Sequence, residues 1–171
     1  KSVDVTNKDE VEELIGNIKN EYGNLDGIIH SAGKINDNFI INKTKKEFKE
    51  VLAPKVHGLI NIDEATKDLD IDFIVLFSSM TGVLGNIGQA DYACANAFMD
   101  RYAEYRNELV SKKERKGKTI SINWPLWSEG GMKVDKETEK MISNIGLIPM
   151  KTEDGINALY KSFDLNKSGI M

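Results

Sequence analysis

Hydrophobic and polar residues follow two different periods along this chain, one typical of helices and one typical of buried strands. From Val11 onward, apolar residues recur at i, i+3, i+4 and i+7, which predicts an amphipathic helix. The run 73–77 is apolar without interruption, as in a strand covered on both faces of a parallel sheet. Helices are predicted at 8–22, 44–69, 89–113, 135–145 and 152–163, and strands at 27–30, 73–77, 119–124 and from 169 onward.

The boundaries of these elements carry their own signals. Either Thr6 with Asp9 or Asn7 with Glu10 fits a capping box at the first helix. Thr44 is the expected N-cap of the second helix, and Pro54 is expected to kink or restart it. Residues 81–88 are predicted to form a glycine-containing loop, and the basic run 112–116 a solvated helix end.

Strands and helices alternate at spacings that require crossover connections, which predicts an α/β fold with a doubly wound parallel sheet. The segment from Asp4 reads as the end of a strand that feeds a helix, so we expect a first βαβ unit upstream of this chain. Chemistry in such sheets lies at the carboxyl ends of the strands. The candidate site is therefore expected in the loops that follow Ile29, Phe77 and Trp124.

Composition narrows the classes of function. The 171 residues are 40% hydrophobic and 29% charged, with a net charge of -4, so neither a nucleic-acid-binding surface nor a polybasic membrane patch is expected. No apolar run approaches the roughly 18–20 residues that span a bilayer. A single cysteine, Cys94, excludes an internal disulfide and favours a reducing, cytoplasmic compartment. One cysteine and two histidines argue against a metal site.

The strongest chemical signal follows the central predicted strand. Ser79 ends that strand, Tyr92 begins a helix thirteen residues later, and Asn96 lies one turn beyond on the same helix face. Small residues surround Tyr92, as expected where a helix approaches a cofactor or a sheet closely. Lys55, within the stretch Ala-Pro-Lys-Val-His-Gly, precedes Ser79 by 24 residues.

This set resembles the short-chain dehydrogenase/reductase superfamily, and within it the ketoreductase domains of modular polyketide synthases. Most superfamily members have a lysine four residues after the tyrosine, whereas these domains have an asparagine there and a lysine on an earlier helix, as Asn96 and Lys55 are placed here. The resemblance, which runs from about Asp4 to Met132, implies a Rossmann-like fold. The chain is then the catalytic half of such a domain, with its active-site core at about 25–132 and its last helices and strand at 133–171.

The resemblance also implies an activity and its residues. It implies NADPH-dependent reduction of a β-ketoacyl thioester, carried by the phosphopantetheine of an acyl carrier protein, to the β-hydroxyacyl thioester. Tyr92 is the expected general acid, and Ser79 is expected to hydrogen-bond the ketone oxygen. Lys55 is expected to lower the pKa of Tyr92 and hold the cofactor's ribose, while Asn96 orients Lys55 or a water molecule. Further expected partners are the rest of the domain and other synthase domains.

Cofactor contacts follow from the same resemblance. The segment Asp4-Val5-Thr6 would lie beside the adenine, Ser31-Ala32-Gly33 along the nicotinamide ribose, Pro125-Leu126 opposite the nicotinamide, and the segment from Trp127 to Met132 over the substrate. Gly82, Gly85 and Gly88 do not have the spacing of a dinucleotide-binding turn, so we assign them no phosphate.

Stereochemistry has expected markers as well. Asp37 matches the last residue of a Leu-Asp-Asp motif that is common in domains giving a D-configured alcohol, the B-type. Leu84 stands where the opposite class usually has tryptophan. Ile87 and Asp91 replace a proline and an asparagine common in the B-type. The expectation of the B-type rests on Asp37 and Leu84. Trp127 and Met132 are further candidates for contact with the substrate.

Other interpretations stay open at this point. The domain could be a catalytically silent docking unit, or a stand-alone reductase of small ketones. His30 is expected to pack at a strand end rather than act as a base, and His57 to lie on the surface or between helices. Asp37 fits an ordinary loop carboxylate about as well, and Trp127 fits core packing about as well.

Overall fold

The structure is a computed structural model that describes residues 1–131, 143, 146, 148–165 and 168–170. Its contacts divide the chain into two units, Lys1–Asn123 with Lys167–Met171, and Trp124–Asn166. The elements, in chain order, are α1 (Lys8–Tyr22), β1 (Gly27–His30), a 3-10 turn (Ile40–Asn42), α2 (Lys45–Ala65), β2 (Phe73–Ser79), α3 (Thr81–Leu84), α4 (Ala90–Ser111), β3 (Lys118–Trp124), α5 (Thr152–Asp164) and β4 (Gly169–Ile170).

The four strands form one parallel sheet in the order β1-β2-β3-β4. Gly27 pairs with Phe73 and His30 with Leu76, while Ser121 pairs with Gly169. Each connection between neighbouring strands crosses over through at least one helix, as parallel pairing requires. The predicted Rossmann-like α/β class is confirmed, and the predicted start of a strand at residue 169 is observed.

Helices α1 and α2 begin at the predicted caps. Asn7 caps α1 by accepting from the amides of Asp9 and Glu10, which selects the second of the two expected pairs. Thr44 and Glu47 form a complete capping box at α2. The expected restart at Pro54 is not observed, because α2 is continuous from Lys45 to Ala65. The proline removes one backbone donor, and the helix face on both sides of it remains packed in the core.

The core of the first unit lies between β2 and the long helices α2 and α4. Ile74 and Leu76 of β2 are fully buried, together with Leu59 of α2 and Met99 of α4. Val75, on the opposite face of β2, is fully buried as well, whereas Phe73 and Phe77 are half-buried, so the predicted cover on both faces is complete only at the centre of the run. Because the core fixes α2 and α4 against β2, it also fixes the relative positions of Lys55, Ser79 and Tyr92, one of which lies on each element.

A buried charge network joins the helices to the start of β3. Arg106, 1% exposed, donates from Nε to Asp63 at 2.6 Å, and from its other nitrogens to the carbonyls of Gly117 and Lys116. Arg115 also pairs with Asp63, at 3.2 Å. The basic run 112–116 is therefore not simply solvated, because Arg115 turns back onto this network.

The region after residue 80 departs from the predicted loop. Residues Thr81–Leu84 form the short helix α3, whose backbone lies so close to α4 that a Cβ on Gly82 would come within 3.0 Å of the Ala97 amide nitrogen. Only turn signals are visible in this stretch, since one helical turn is too short for a periodic pattern.

The second unit is built around a tryptophan pair and α5. The rings of Trp124 and Trp127 meet edge to face, with centroids 5.0 Å apart. Met150 donates its backbone amide to the carbonyl of Leu126 at 2.7 Å, and a Cβ on Gly155 would come within 2.3 Å of the Trp127 ring. The predicted helix 152–163 is confirmed, whereas most of the helix predicted at 135–145 lies outside the described residues. Among the described residues, no helix is long and apolar enough to cross a membrane.

Candidate active site

Three elements of the first unit each contribute one of the expected reactive side chains. Lys55 lies in the middle of α2, Ser79 is the last residue of β2, and Tyr92 lies in the first turn of α4. Asn96 follows Tyr92 by one helical turn, and its amide Nδ2 donates to the Tyr92 carbonyl at 2.8 Å. The structure therefore gathers all four residues at the carboxyl end of β2, where parallel sheets place their chemistry.

Lys55 is the buried cation of the site. Its side chain donates from Nζ to the Phe77 carbonyl at 2.8 Å, and Nζ lies 5.7 Å from the centroid of the Tyr92 ring. Burial lowers the pKa of Lys55 to about 8, an effect that the charge of Asp100 partly opposes. The ammonium is thus held beside the phenol ring although the surroundings disfavour its charge.

Tyr92 is almost completely buried, and burial raises its pKa. Hydrogen bonding with the side chains of Asn96 and Ser79 lowers the pKa, and the charge of Asp37 raises it further. The expected lowering of the tyrosine pKa by Lys55 is not observed, because desolvation is the largest effect and Nζ is directed to the Phe77 carbonyl. The phenol consequently keeps its proton at neutral pH, which is the state that a proton donor needs.

The two neighbouring serines have different surroundings. Ser78 is buried, donates to the Asn96 carbonyl at 3.3 Å and accepts from Asn123 at 3.2 Å, so its hydroxyl is used within the fold. Ser79 is only half-buried, and its Oγ accepts from the Thr81 amide at 3.2 Å. A hydroxyl that accepts from the backbone can still donate its own proton, and Ser79 hydrogen-bonds with the side chain of Tyr92. The geometry therefore favours Ser79 for contact with a substrate oxygen.

His30 ends β1 beside Lys55. It is buried, and burial together with the charge of Lys55 lowers its pKa to about 4. An imidazole with that pKa is neutral and weakly basic at neutral pH, which agrees with the expected packing role. His57, on α2, is exposed.

Several features of this chain fit a nicotinamide dinucleotide, the cofactor that the fold implies. The turn Ser31-Ala32-Gly33 follows the carboxyl end of β1 and is largely exposed. A Cβ on Gly33 would lie 3.1 Å from Cε of Lys55, so glycine leaves the lysine side chain more room to approach this turn. Asn96 Oδ1 is buried and has no hydrogen-bond partner among the described residues. The turn and Lys55 would hold the ribose that the resemblance places here, and Asn96 Oδ1 would accept from a water molecule.

The remaining expected cofactor residues lie in the turn before α1 and directly after β3. Asp4 accepts from the amide and hydroxyl of Thr6, at 2.9 and 2.8 Å, and Val5 packs against Gly58 of α2. This fixes the turn before α1 in one conformation. Pro125 and Leu126 directly follow β3 and belong to the second unit.

The expected stereochemical markers fall on two facing segments. Asp37 accepts from Gln89 at 2.9 Å, and the Asn38 amide donates to the Gly88 carbonyl at 2.9 Å. The carboxylate of Asp37 therefore lies against the segment that leads into α4, rather than free in a loop. Leu84 and Ile87 are exposed. Trp127 packs within the second unit, and Met132 lies outside the described residues.

Two carboxylates near the site have contacts that were not predicted from the sequence. Asp100 accepts from Ser121 at 2.6 Å and from Asn123 at 2.8 Å, and its charge acts on Lys55. Its position eight residues after Tyr92, on the same helix face, was a usable signal. Asp91 forms a buried ion pair with Lys43. The two residues are 48 positions apart in sequence, so no local pattern indicates that they pair. Among the described residues, no cluster of His, Cys, Asp and Glu could hold a metal ion.

Comparison with known proteins agrees with this geometry. The family model described as "KR domain" matches residues 1–129. Polyketide synthase PksN of Bacillus subtilis is 54% identical over 172 aligned positions, which cover 100% of this chain and 3% of that protein. A ketoreductase domain from the bacillaene assembly line is 52% identical with a TM-score of 0.95, over 99% of this chain and 41% of that one. An N-terminal ketoreductase from the macrolactin assembly line is 41% identical with a TM-score of 0.87, over 99% and 32%.

The fold and the gathered side chains define an oxidoreductase-type Rossmann-like domain. With the family model covering most of its length, the chain belongs to the KR, or ketoreductase, domain family of polyketide synthases. It spans only a few per cent of the length of the curated synthases that it matches, 3% of PksN among them.

Proposed function

We propose that this chain carries the catalytic residues for NADPH-dependent reduction of a β-ketoacyl thioester to the β-hydroxyacyl thioester. One observation carries the proposal: a buried ammonium, a half-buried hydroxyl and a protonated phenol lie together at the carboxyl end of β2. Reduction of a ketone places growing negative charge on its oxygen, and these are the groups that stabilise and protonate such an oxygen.

Each residue has a defined part in the proposed reaction. NADPH, when bound, supplies the hydride. Ser79 donates a hydrogen bond to the ketone oxygen and holds it towards Tyr92, whose phenol gives up its proton to that oxygen. Lys55 stabilises the tyrosinate that remains, since a cation at this range favours the anion. Asn96 holds the first turn of α4 through the Tyr92 carbonyl and keeps Oδ1 available for a proton relay.

The pKa shifts define what Lys55 has to do in this proposal. Burial raises the pKa of Tyr92, so the resting phenol is protonated and its tyrosinate is destabilised, and Lys55 is the cation that offsets this cost. The pKa of Lys55, lowered to about 8, still leaves the ammonium in the majority at neutral pH. After proton transfer the buried anion and the buried cation compensate one another, which lowers the cost that burial imposes on each.

The substrate and partners are part of the proposal. We place the ketone on the phosphopantetheine of an acyl carrier protein, with the remaining synthase domains as further partners, because the matching relatives are polyketide synthases. The single cysteine supports a reducing, cytoplasmic compartment. The product is proposed to be the D-configured alcohol of the B-type. Support comes from Asp37, which is held against the start of α4, and from Leu84 in the position of the opposite class's tryptophan.

The test uses a complete ketoreductase domain that contains this sequence, with a β-ketoacyl thioester and NADPH. We expect NADPH oxidation matched by β-hydroxyacyl product, with the D enantiomer in excess on chiral chromatography. A domain that binds NADPH without forming product would support the silent docking alternative. Faster turnover of free small ketones than of carrier-bound substrate would support a stand-alone reductase. A product mainly of L configuration would overturn the B-type assignment alone.

A further inference from the structure

A buried ion pair lies one residue away from the proposed proton donor. Lys43 and Asp91 meet at 2.6 Å, and their side chains are 2% and 1% exposed. Lys43 also donates to the Asn36 carbonyl at 2.5 Å, while the other carboxylate oxygen of Asp91 accepts from the Tyr92 amide at 2.9 Å. A single ammonium therefore connects the loop after β1 to the first turn of α4.

This pair differs from most ion pairs among the described residues. Lys34 with Glu50 and Arg101 with Glu104, for example, are exposed at both partners, so they contribute little to stability or position. A pair that is almost fully removed from water has to compensate for the desolvation of two charges, so it is poor evidence of a purely stabilising role. Its contacts indicate what else it does.

The ammonium fixes the position of one segment against another. Asn36, whose carbonyl it holds, directly precedes Asp37, and Asp91 directly precedes Tyr92. Two further hydrogen bonds join the same segments. The Asn38 amide donates to the Gly88 carbonyl, and the Gln89 side chain donates to the Asp37 carboxylate. The latter two contacts lie at a half-exposed surface, whereas the ion pair lies beneath it, out of water.

We propose that Lys43 and Asp91 are positioning residues that hold the Asp37 segment in register with Tyr92 and thereby set which face of the ketone is reduced. The inference deepens the proposed function and rests on it. Neither side chain reaches the reacting atoms itself, because each is occupied by the other and by the backbone on either side. Without the pair, the Asp37 segment can shift relative to the phenol, and the substrate is oriented less strictly.

The test compares four forms of the complete domain: wild type, Asp91→Asn, Lys43→Met and the double variant. Asp91→Asn preserves the side-chain size and an oxygen for the Tyr92 amide, and replaces the charged oxygen that faces Lys43 with an amide nitrogen. Each single variant is expected to lose kcat on the order of 10- to 100-fold, as misplacement near a reacting centre does, and to form more of the minor enantiomer. The double variant leaves no uncompensated buried charge, so it should recover thermal stability while its enantiomer ratio stays eroded.

Arg101→Met and Glu104→Gln are the matched controls, since they break an exposed pair on the same helix and should leave rate and enantiomer ratio unchanged. The proposal is overturned if the folded single variants keep the wild-type kcat and ratio, or if only their melting temperature falls. If the single variants do not fold, the double variant decides: a wild-type ratio overturns the proposal and an eroded ratio supports it. A wild-type domain that forms no product at all would instead contradict the proposed function.

Discussion

Replacing Lys55 with methionine removes a charge that the folded chain holds almost completely out of water. The lysine is 3% exposed, and burial lowers its pKa from the ordinary 10.5 to about 8. Below pH 8 the ammonium is charged in both the folded and the unfolded chain, so the folded state bears the whole cost of its burial. Between about 8 and 10.5 the folded state loses this proton first, and the stability of the wild type rises with pH.

The size of the effect follows from the pKa difference. A lowering of this extent corresponds to about 3 kcal/mol of folding free energy at neutral pH. Raising the pH from about 7 to about 9.5 should return about 2 kcal/mol of it to the wild type and none to Lys55→Met. The difference in the free energy of unfolding between the two proteins should therefore shift by that amount in favour of the wild type.

The assay is urea unfolding of the complete domain, wild type and Lys55→Met, at several pH values in this range. Most other groups titrate alike in both proteins, so their contributions cancel in the difference. We also expect Lys55→Met to be at least as stable as the wild type at neutral pH and nearly inactive. A stability difference that stays constant between neutral pH and about 9.5 would refute the argument that the ammonium is buried at a cost.

Three further perturbations test other parts of the structure. Ser79→Ala should lower kcat by about 10²–10³-fold with a small change in KM, because it removes a donor to the developing oxyanion. A rise in KM with kcat unchanged would contradict this role. Asp63→Asn leaves Arg106 without its buried counterion and should reduce the free energy of unfolding by about 3–5 kcal/mol in urea titrations. Gly155→Ala places a methyl group against the Trp127 ring and should change the tryptophan fluorescence, whereas an unchanged spectrum would argue against that packing.

Much of the fold could be predicted because its signals are local. Helix caps at Asn7 and Thr44, the apolar run of β2 and the alternation of elements all depend on residues close together in sequence. The departures have the opposite character. Pro54 remains inside α2 because tertiary packing holds both halves of the helix, and α3 lies where Gly82 allows its backbone close to α4. Packing of this kind leaves no periodic trace in the sequence.

The candidate site also has features that could be predicted from the sequence and features that depend on tertiary packing. The family resemblance, carried by residue types and spacing, selected Lys55, Ser79, Tyr92 and Asn96, and the structure brings these four together. The direction of the tyrosine pKa could not be predicted, because it depends on burial, which the sequence does not measure. The pairing of Lys43 with Asp91 likewise depends on how a distant loop folds back onto α4.

The central claim is that the phenol of Tyr92 delivers the proton to a ketone oxygen. Tyr92→Phe removes that proton and keeps the ring, and Tyr105→Phe, on the same helix but exposed, is the matched control. In single-turnover reduction of a β-ketoacyl thioester by the complete domain, Tyr92→Phe should lose at least about 10²-fold in rate, while Tyr105→Phe keeps the wild-type rate. Near wild-type reduction by folded Tyr92→Phe would contradict the account.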